Sequence, residues 1–256
     1  MTIGVLALQG DFDAHRKMLE SCAGVSRVVP VRSAQDLSEC DGLIIPGGES
    51  TVMSRLCDRY SLWEPLSAHI EQGMGAFGTC AGLILLSKNI EGGTRNFQQK
   101  TLGVLDVDVA RNAYGAQLDS FETDVALRQG AETLDKVASE YSEATLSNET
   151  LHAVFIRAPR ITRCGDAVQV LATHGGEPVV VQQGRIMAAA FHPEIAGDSR
   201  LHQLWLRSLE PLEPLEPVTG PPHRVDSEDG TSQKQSATKV SSTKKVSSTK
   251  AAEERK

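Results

Sequence analysis

Gly78-Thr79-Cys80-Ala81-Gly82 sets a thiol between two glycines, with an apolar run at residues 74–77 before it and a helix-like run at 81–88 after it. A strand that turns tightly into a helix needs small flanking residues, because the two backbones approach closely. The central side chain is left at the helix N-terminus, as in a nucleophile elbow. Free N–H groups and the helix dipole there favour a thiolate and any oxyanion that develops nearby. The chemistry on offer is nucleophilic attack by Cys80. The plainer alternative is a buried cysteine beside two packing glycines. A nucleophile also needs a base, and the base needs an orienting group. Ala190-Phe191-His192-Pro193-Glu194 offers both. His192 follows a strand-like run at 186–191, Pro193 fixes the bend, and Glu194 can hold one imidazole nitrogen while the other faces the thiol.

A third segment, Ile44-Ile45-Pro46-Gly47-Gly48-Glu49-Ser50-Thr51, again reads as a strand followed by a helix. Its two glycines expose backbone N–H groups at the carboxyl end of a strand, where open α/β sheets form their crevices. One such N–H, with that of Ala81, would make an oxyanion hole. A phosphate-binding turn, or a plain cap by Ser50 or Thr51, is the alternative. No Gly-Lys-Ser/Thr follows, which excludes a Walker loop.

The elements that must position these groups alternate along the chain. Strand-like runs at residues 3–8, 27–31 and 42–45 precede helix-like stretches at 50–60 and 62–72, then the strand at 74–77 and the helix at 81–88. Strands dominate afterwards, at 102–109, 152–156, 167–173, 179–182 and 186–191, before a closing helix at 200–209. This order predicts an α/β fold: a three-layer α/β/α sandwich around a mostly parallel sheet, with extra antiparallel strands. Residues 129–149 read as a variable insertion.

The 256 residues divide unevenly. Residues 1–209 read as one catalytic domain. From Glu210 the chain is proline-spaced, then Ser/Thr/Lys-rich, and Lys239-Val240-Ser241-Ser242-Thr243-Lys244 is repeated at once as residues 245–250. That composition cannot bury enough apolar surface to offset ordering, about 1–2 kcal/mol per residue, so 210–256 is expected to be a disordered tail. The tail holds eight acidic and eight basic residues, so the net charge of −7 belongs to the body. An acidic body argues against a nucleic-acid partner. No run approaches the length of a membrane span. The N-terminus lacks the basic flank of a signal peptide, and five scattered cysteines fit a reducing compartment, so the expected location is cytoplasmic.

The three segments, in this order, resemble the class I (triad) glutamine amidotransferases, and more narrowly the glutaminase subunits of two-subunit pyridoxal 5′-phosphate synthases. The likeness is carried by residues 4–10 (Gly-Val-Leu-Ala-Leu-Gln-Gly), Pro46 to Thr51, Gly78 to Ile84, Arg111-Asn112, Asp119 to Glu122, Val154-Phe155-Ile156-Arg157-Ala158-Pro159 and Phe191 to Glu194. The resemblance implies hydrolysis of L-glutamine to glutamate and ammonia by Cys80, His192 and Glu194, with Gly48 and Ala81 as the oxyanion hole. It also implies glutamine binding by Gly48, Glu49, Ser50, Arg111, Ile156 and Arg157. The arginines make physical sense, because an α-carboxylate must be paired in a partly desolvated pocket. No cofactor and no metal is implied. The implied partner is a (β/α)₈-barrel synthase subunit in a large hetero-oligomer, which receives the ammonia and activates the glutaminase by setting its oxyanion loop. Gln9 and Gly10 would lie at that interface, although the following Asp11-Phe12-Asp13 is more acidic than the family pattern. Three rivals stand beside this reading: the subunit of another amidotransferase, such as that of histidine biosynthesis; a cysteine peptidase or chaperone-like relative sharing the elbow; and a catalytically silent docking subunit.

Overall fold

The computed structural model describes residues 1–92, 99–111, 120–127 and 150–210. The chain separates into a unit Met1–Leu212, which holds the sheets and helices below, and a unit Glu213–Lys256. The predicted insertion and the tail after Glu210 lie outside the described residues. In chain order the elements are β1 (Thr2–Leu6), α1 (Phe12–Glu20), β2 (Arg27–Val31), α2 (Ala34–Leu37), β3 (Gly42–Ile45), α3 (Ser50–Arg59), α4 (Trp63–Glu71), β4 (Gly75–Thr79) and α5 (Ala81–Leu86). They continue with β5 (Ser87–Glu91), β6 (Leu105–Ala110), β7 (Phe121–Leu127), β8 (Thr150–Phe155), β9 (Arg160–Cys164), β10 (Gln169–His174), β11 (Glu177–Gln183), β12 (Ile186–Ala189), α6 (Pro193–Ala196) and α7 (Arg200–Leu209).

Among the described residues, nine strands form one sheet in the order β2-β1-β3-β4-β12-β11-β10-β7-β8. The first five are mutually parallel, and from β12 onward every pairing is antiparallel. The expected mixed α/β sandwich is therefore present. Strands β3 and β4 are buried at every residue, as parallel strands covered on both faces must be. Side chains of β4 alternate between two helical layers. Phe77 meets Trp205 of α7, ring centroids 6.0 Å apart, whereas Gly78 abuts Gly82 and Leu86 of α5. A second sheet, β5-β6-β9, flanks the first; β6 buries alternate residues and turns Asp106 and Asp108 outward.

Several local readings differ from the structure. Helix α1 was not foreseen: its buried positions are His15 and Leu19, so a polar residue occupies half of the inward stripe and blurs the apolar period. The helix expected over 81–88 stops at Leu86, because the chain there enters β5, and Ser87 Oγ closes the turn on Ile84 O at 2.8 Å. Strands β5, β7 and β9 were also unforeseen; β5 and β9 are short and largely exposed.

Candidate active site

Cys80 sits between β4 and α5 with φ 47° and ψ −100°, a left-handed backbone that costs a non-glycine residue about 1–3 kcal/mol. Its neighbours enforce it. The Cys80 N–H donates to Ala189 O at 2.9 Å, tying the turn to β12. A side chain at Gly82 would collide with Ile45 O of β3, so the glycine two residues after the thiol lets α5 dock on the sheet. Cys80 Sγ lies 3.8 Å from Ile156 O, a weak S–H donor contact to the chain just past β8. Ala81 is the first residue of α5, so its N–H has no intrahelical acceptor.

His192 is reached three residues beyond the end of β12 and its N–H donates to Val154 O of β8 at 2.9 Å. The segment expected to be a bend is the start of α6: His192 is its N-cap and Pro193 fills the first turn, where a missing N–H does no harm. Nδ1 of His192 donates to Glu194 Oε1 at 2.7 Å, with both side chains nearly excluded from water. Burial works against a charged His192, but its hydrogen bonds to Cys80 and Glu194 outweigh it and raise the imidazole from 6.5 to about 10. Burial likewise pushes the Glu194 carboxyl up. The nearby His15 imidazole and the hydrogen bond with His192 prevail and hold it well below the usual carboxylate range. The arrangement keeps an imidazolium beside the thiol. Elsewhere burial is the main cause that pushes the Cys57 thiol up to about 12 and Cys22 and Cys40 to about 11, which makes them poor nucleophiles.

The loop from Pro46 to Ser50 completes the wall. Gly47 packs so closely on the His192 ring that any side chain there would displace it. Glu49, rather than Ser50 or Thr51, caps α3, its carboxylate accepting from Thr51 N at 3.0 Å. The Ser50 hydroxyl instead donates to Gln99 Oε1 at 3.1 Å. Gln9 holds the loop from behind, its Oε1 accepting the Glu49 N–H at 2.8 Å, and Gly10 abuts Gly47 O. Asp11 N also donates to Gly47 O, at 3.3 Å.

These elements enclose a pocket of about 140 Å³ lined by Gly48, Glu49, Ser50, Cys80, Ile84, Arg111, Ile156, Arg157 and His192. Gly48, Glu49, Ser50, Arg111, Ile156 and Arg157, expected to bind glutamine, therefore face one small cavity with Cys80 and His192, whereas Ala81 of the expected oxyanion hole is not among its lining residues. Glu194 stands behind His192, and Gln9 and Gly10 stand behind the loop. Arg111 reaches across to Glu49, Nη2 to Oε1 3.5 Å. Arg157 carries φ 46°, a second strained backbone at the pocket. Ile84, which adds an apolar floor, was not foreseen.

The sequence pattern of the SNO glutamine amidotransferase family matches residues 5–211. The chain belongs to that family. As a glutamine amidotransferase it is 42% identical over 210 residues to pyridoxal 5′-phosphate synthase subunit PdxT of Kosmotoga olearia, covering 82% of this chain and 98% of the relative. It is 47% identical over 210 residues to PdxT of Nocardioides sp., covering 80% and 94%. A solved structure described as a glutamine amidotransferase superposes with a TM-score of 0.68 at 40% identity, covering 81% of this chain and 98% of that one. A fainter likeness, to a chain of PurLQS from Thermotoga maritima (TM-score 0.53, 15% identity, 81% and 96% covered), speaks of the fold alone. Among the described residues of this amidotransferase no helix is long and apolar enough to cross a membrane.

Three groups of the site's surroundings escaped the sequence reading: Thr79, His15 of α1 and His202 of α7, all fully buried. Thr79 adjoins the nucleophile and could have been suspected. His15 and His202 stand far apart in sequence, and nothing local marks them.

Proposed function

We propose that this chain is the glutaminase subunit of a pyridoxal 5′-phosphate synthase and passes ammonia to a synthase partner. The observation that supports this most is the single cavity on which Cys80, His192, Gly48 and both arginines converge, in a chain nearly half identical to PdxT subunits. Glutamine enters with its α-carboxylate between Arg111 and Arg157 and its carboxamide over Cys80. The thiolate attacks the amide carbon while His192 holds the proton. The tetrahedral oxyanion is held by the Gly48 and Ala81 N–H groups, each worth about 10²–10³ in rate. His192 protonates the leaving nitrogen, the C–N bond breaks, and ammonia departs from a thioester at Cys80. Water, deprotonated by His192, then attacks the thioester, and glutamate leaves as the thiolate reforms. Glu194 holds the imidazole in register throughout.

The partner in this reading is a (β/α)₈-barrel subunit that carries the ammonia forward, and the Gln9-Gly10-Asp11 turn, which braces the Gly47-Gly48 loop, is where its docking acts on the oxyanion hole. Residues 1–209 carry the activity and the tail does not. The test is glutamate release from glutamine with and without the purified pyridoxal 5′-phosphate synthase subunit. Release is expected to rise strongly on adding that subunit, and a chain ending at Glu210 is expected to behave like the full one. Stimulation by a different synthase, but not by this one, would assign the chain to another amidotransferase.

A further inference from the structure

Polar groups continue behind Glu194 into the core. Its Oε1 accepts the His192 proton, while Oε2 is sealed from solvent and has no aligned hydrogen bond among the described residues. Facing that oxygen at 3.4 Å is Nε2 of His15, from the inner side of α1. The same Nε2 lies 3.1 Å from Thr79 Oγ1, and Nδ1 of His15 lies 3.0 Å from Nε2 of His202 on α7. The His202 ring stands edge-on to Phe77, centroids 5.2 Å apart. His15, Thr79 and His202 are all completely buried. Imidazoles in a core are costly unless they are hydrogen-bonded, and apolar residues at 15 and 202 would pack there without that cost.

We propose that His15, backed by His202, is a positioning residue of the active site: its Nε2–H holds the far oxygen of Glu194, so that the near oxygen stays on His192. This rests on reading Cys80, His192 and Glu194 as the catalytic triad. In this arrangement Nε2 of His15 carries hydrogen, because a carboxylate only accepts. Nδ1 of His15 and Nε2 of His202 share one hydrogen across 3.0 Å, and His202 Nδ1 has no partner among the described residues. Burial, and then the nearness of His15, hold His202 at about 3, so it stays neutral. The titratable groups facing Glu194 are His192 from its own turn and His15 from α1, with His202 of α7 behind; Asp11, Asp13 and Lys17 line a surface depression together with Glu194.

Glutamine offers a discriminating substitution, because its amide nitrogen can take the place of imidazole Nε2, whereas that of asparagine matches only Nδ1. Glutamate release is measured for wild type, His15→Gln and His15→Asn, each complexed with the synthase subunit, across about pH 4–10. His15→Asn should lose about 10–100-fold in kcat, the range for partners that orient an active group from behind, with KM for glutamine little changed. Its acid limb should move to higher pH, because the Glu194 carboxylate has lost a donor. His15→Gln should stay within about threefold of wild type and keep the limb. Equal losses in both variants, or an unmoved acid limb in His15→Asn, would show mere packing and overturn the proposal. Should the variants fail to fold, histidine ¹⁵N shifts of the full wild-type chain decide: His15 protonated on Nε2 supports the role, and a ring protonated on Nδ1 alone refutes it. A wild-type complex that releases no glutamate removes the triad reading itself; wild-type activity with the variant pattern reversed removes only His15.

Discussion

In the parallel half of the large sheet, β3 and β4 are buried along their whole length, and each delivers its site group through a tight turn into a helix. The antiparallel half and the small sheet are built otherwise. There β6 and β10 keep alternate or most residues partly open, and what they and their neighbours bring to the pocket is Arg111, just past β6, with Ile156 and Arg157, just past β8. Groups that need fixed geometry stand on the densest part of the core. The two arginines that line the pocket stand on its periphery. His192 joins the two, following β12 of the parallel half while its N–H is held by β8. In this division the parallel half is expected to govern kcat, and Arg111 and Arg157 on the periphery are expected to govern KM.

The largest expected break is at Cys80. Cys80→Ala should lower partner-stimulated glutamate release by at least about 10⁴-fold, as when a nucleophile acting within a triad is removed, and should leave binding to the synthase subunit intact in a pull-down assay. Retained turnover would move the nucleophile elsewhere.

Next comes Glu194→Gln, with an expected loss of about 10²–10⁴ in kcat. Its pH signature is more specific. His192 is held near 10 by Cys80 and Glu194 against burial. The amide removes one support, so the alkaline limb of glutamate release should move to lower pH. Stability follows with a definite sign. The raised imidazole contributes fully below its ordinary 6.5 and loses that contribution as pH climbs to about 10. The depressed carboxyl contributes above its ordinary 4.5 and loses it as pH falls. The pair therefore stabilises most between 4.5 and 6.5. The wild-type Tm should fall from pH 7 to 10 more steeply than that of the variant; parallel curves would contradict the coupling.

The arginines give the converse result. Arg157→Ala and Arg111→Ala should each raise KM for glutamine by about 10–100-fold, the loss of one charge-assisted hydrogen bond, with kcat little altered. An equal fall in kcat would mean that the peripheral groups also steer the thiol, and the division of labour would fail.

How far this was readable in the chain follows the same boundary. The elbow, the His-Pro-Glu turn and the Gly-Gly loop lie where buried parallel strands end, and continuous apolar runs such as residues 42–45 announce those strands. Strands β5 and β9 escaped notice because they are short and exposed and read like loops. Helix α1 escaped because His15 fills an inward position that an apolar residue would have marked. Ser50 and Thr51 look like the cap of α3 in the sequence, but Glu49 takes that place because its longer side chain reaches the free N–H of Thr51. Groups that meet only through tertiary packing, as His15 and His202 do, leave no local signal.

The smallest expected effect tests the periphery itself. Arg163 of β9 bonds Asp106 at 2.7 Å and Asp108 at 2.7 Å, bridging outward-facing carboxylates of β6. The shortness of these contacts suggests an important strut beneath Arg111, which follows β6 directly. Solvent argues the other way. The Arg163 side chain is 41% exposed, and water and salt screen such pairs so well that many contribute nothing measurable. Strand β6 is anchored instead by the buried Leu105, Val107 and Val109. Arg163→Ala should therefore shift Tm by no more than about 2–4 °C and leave KM for glutamine unchanged. A raised KM would show that Arg111 depends on this ion-pair network for its position, and that the small sheet is part of the binding site rather than its support.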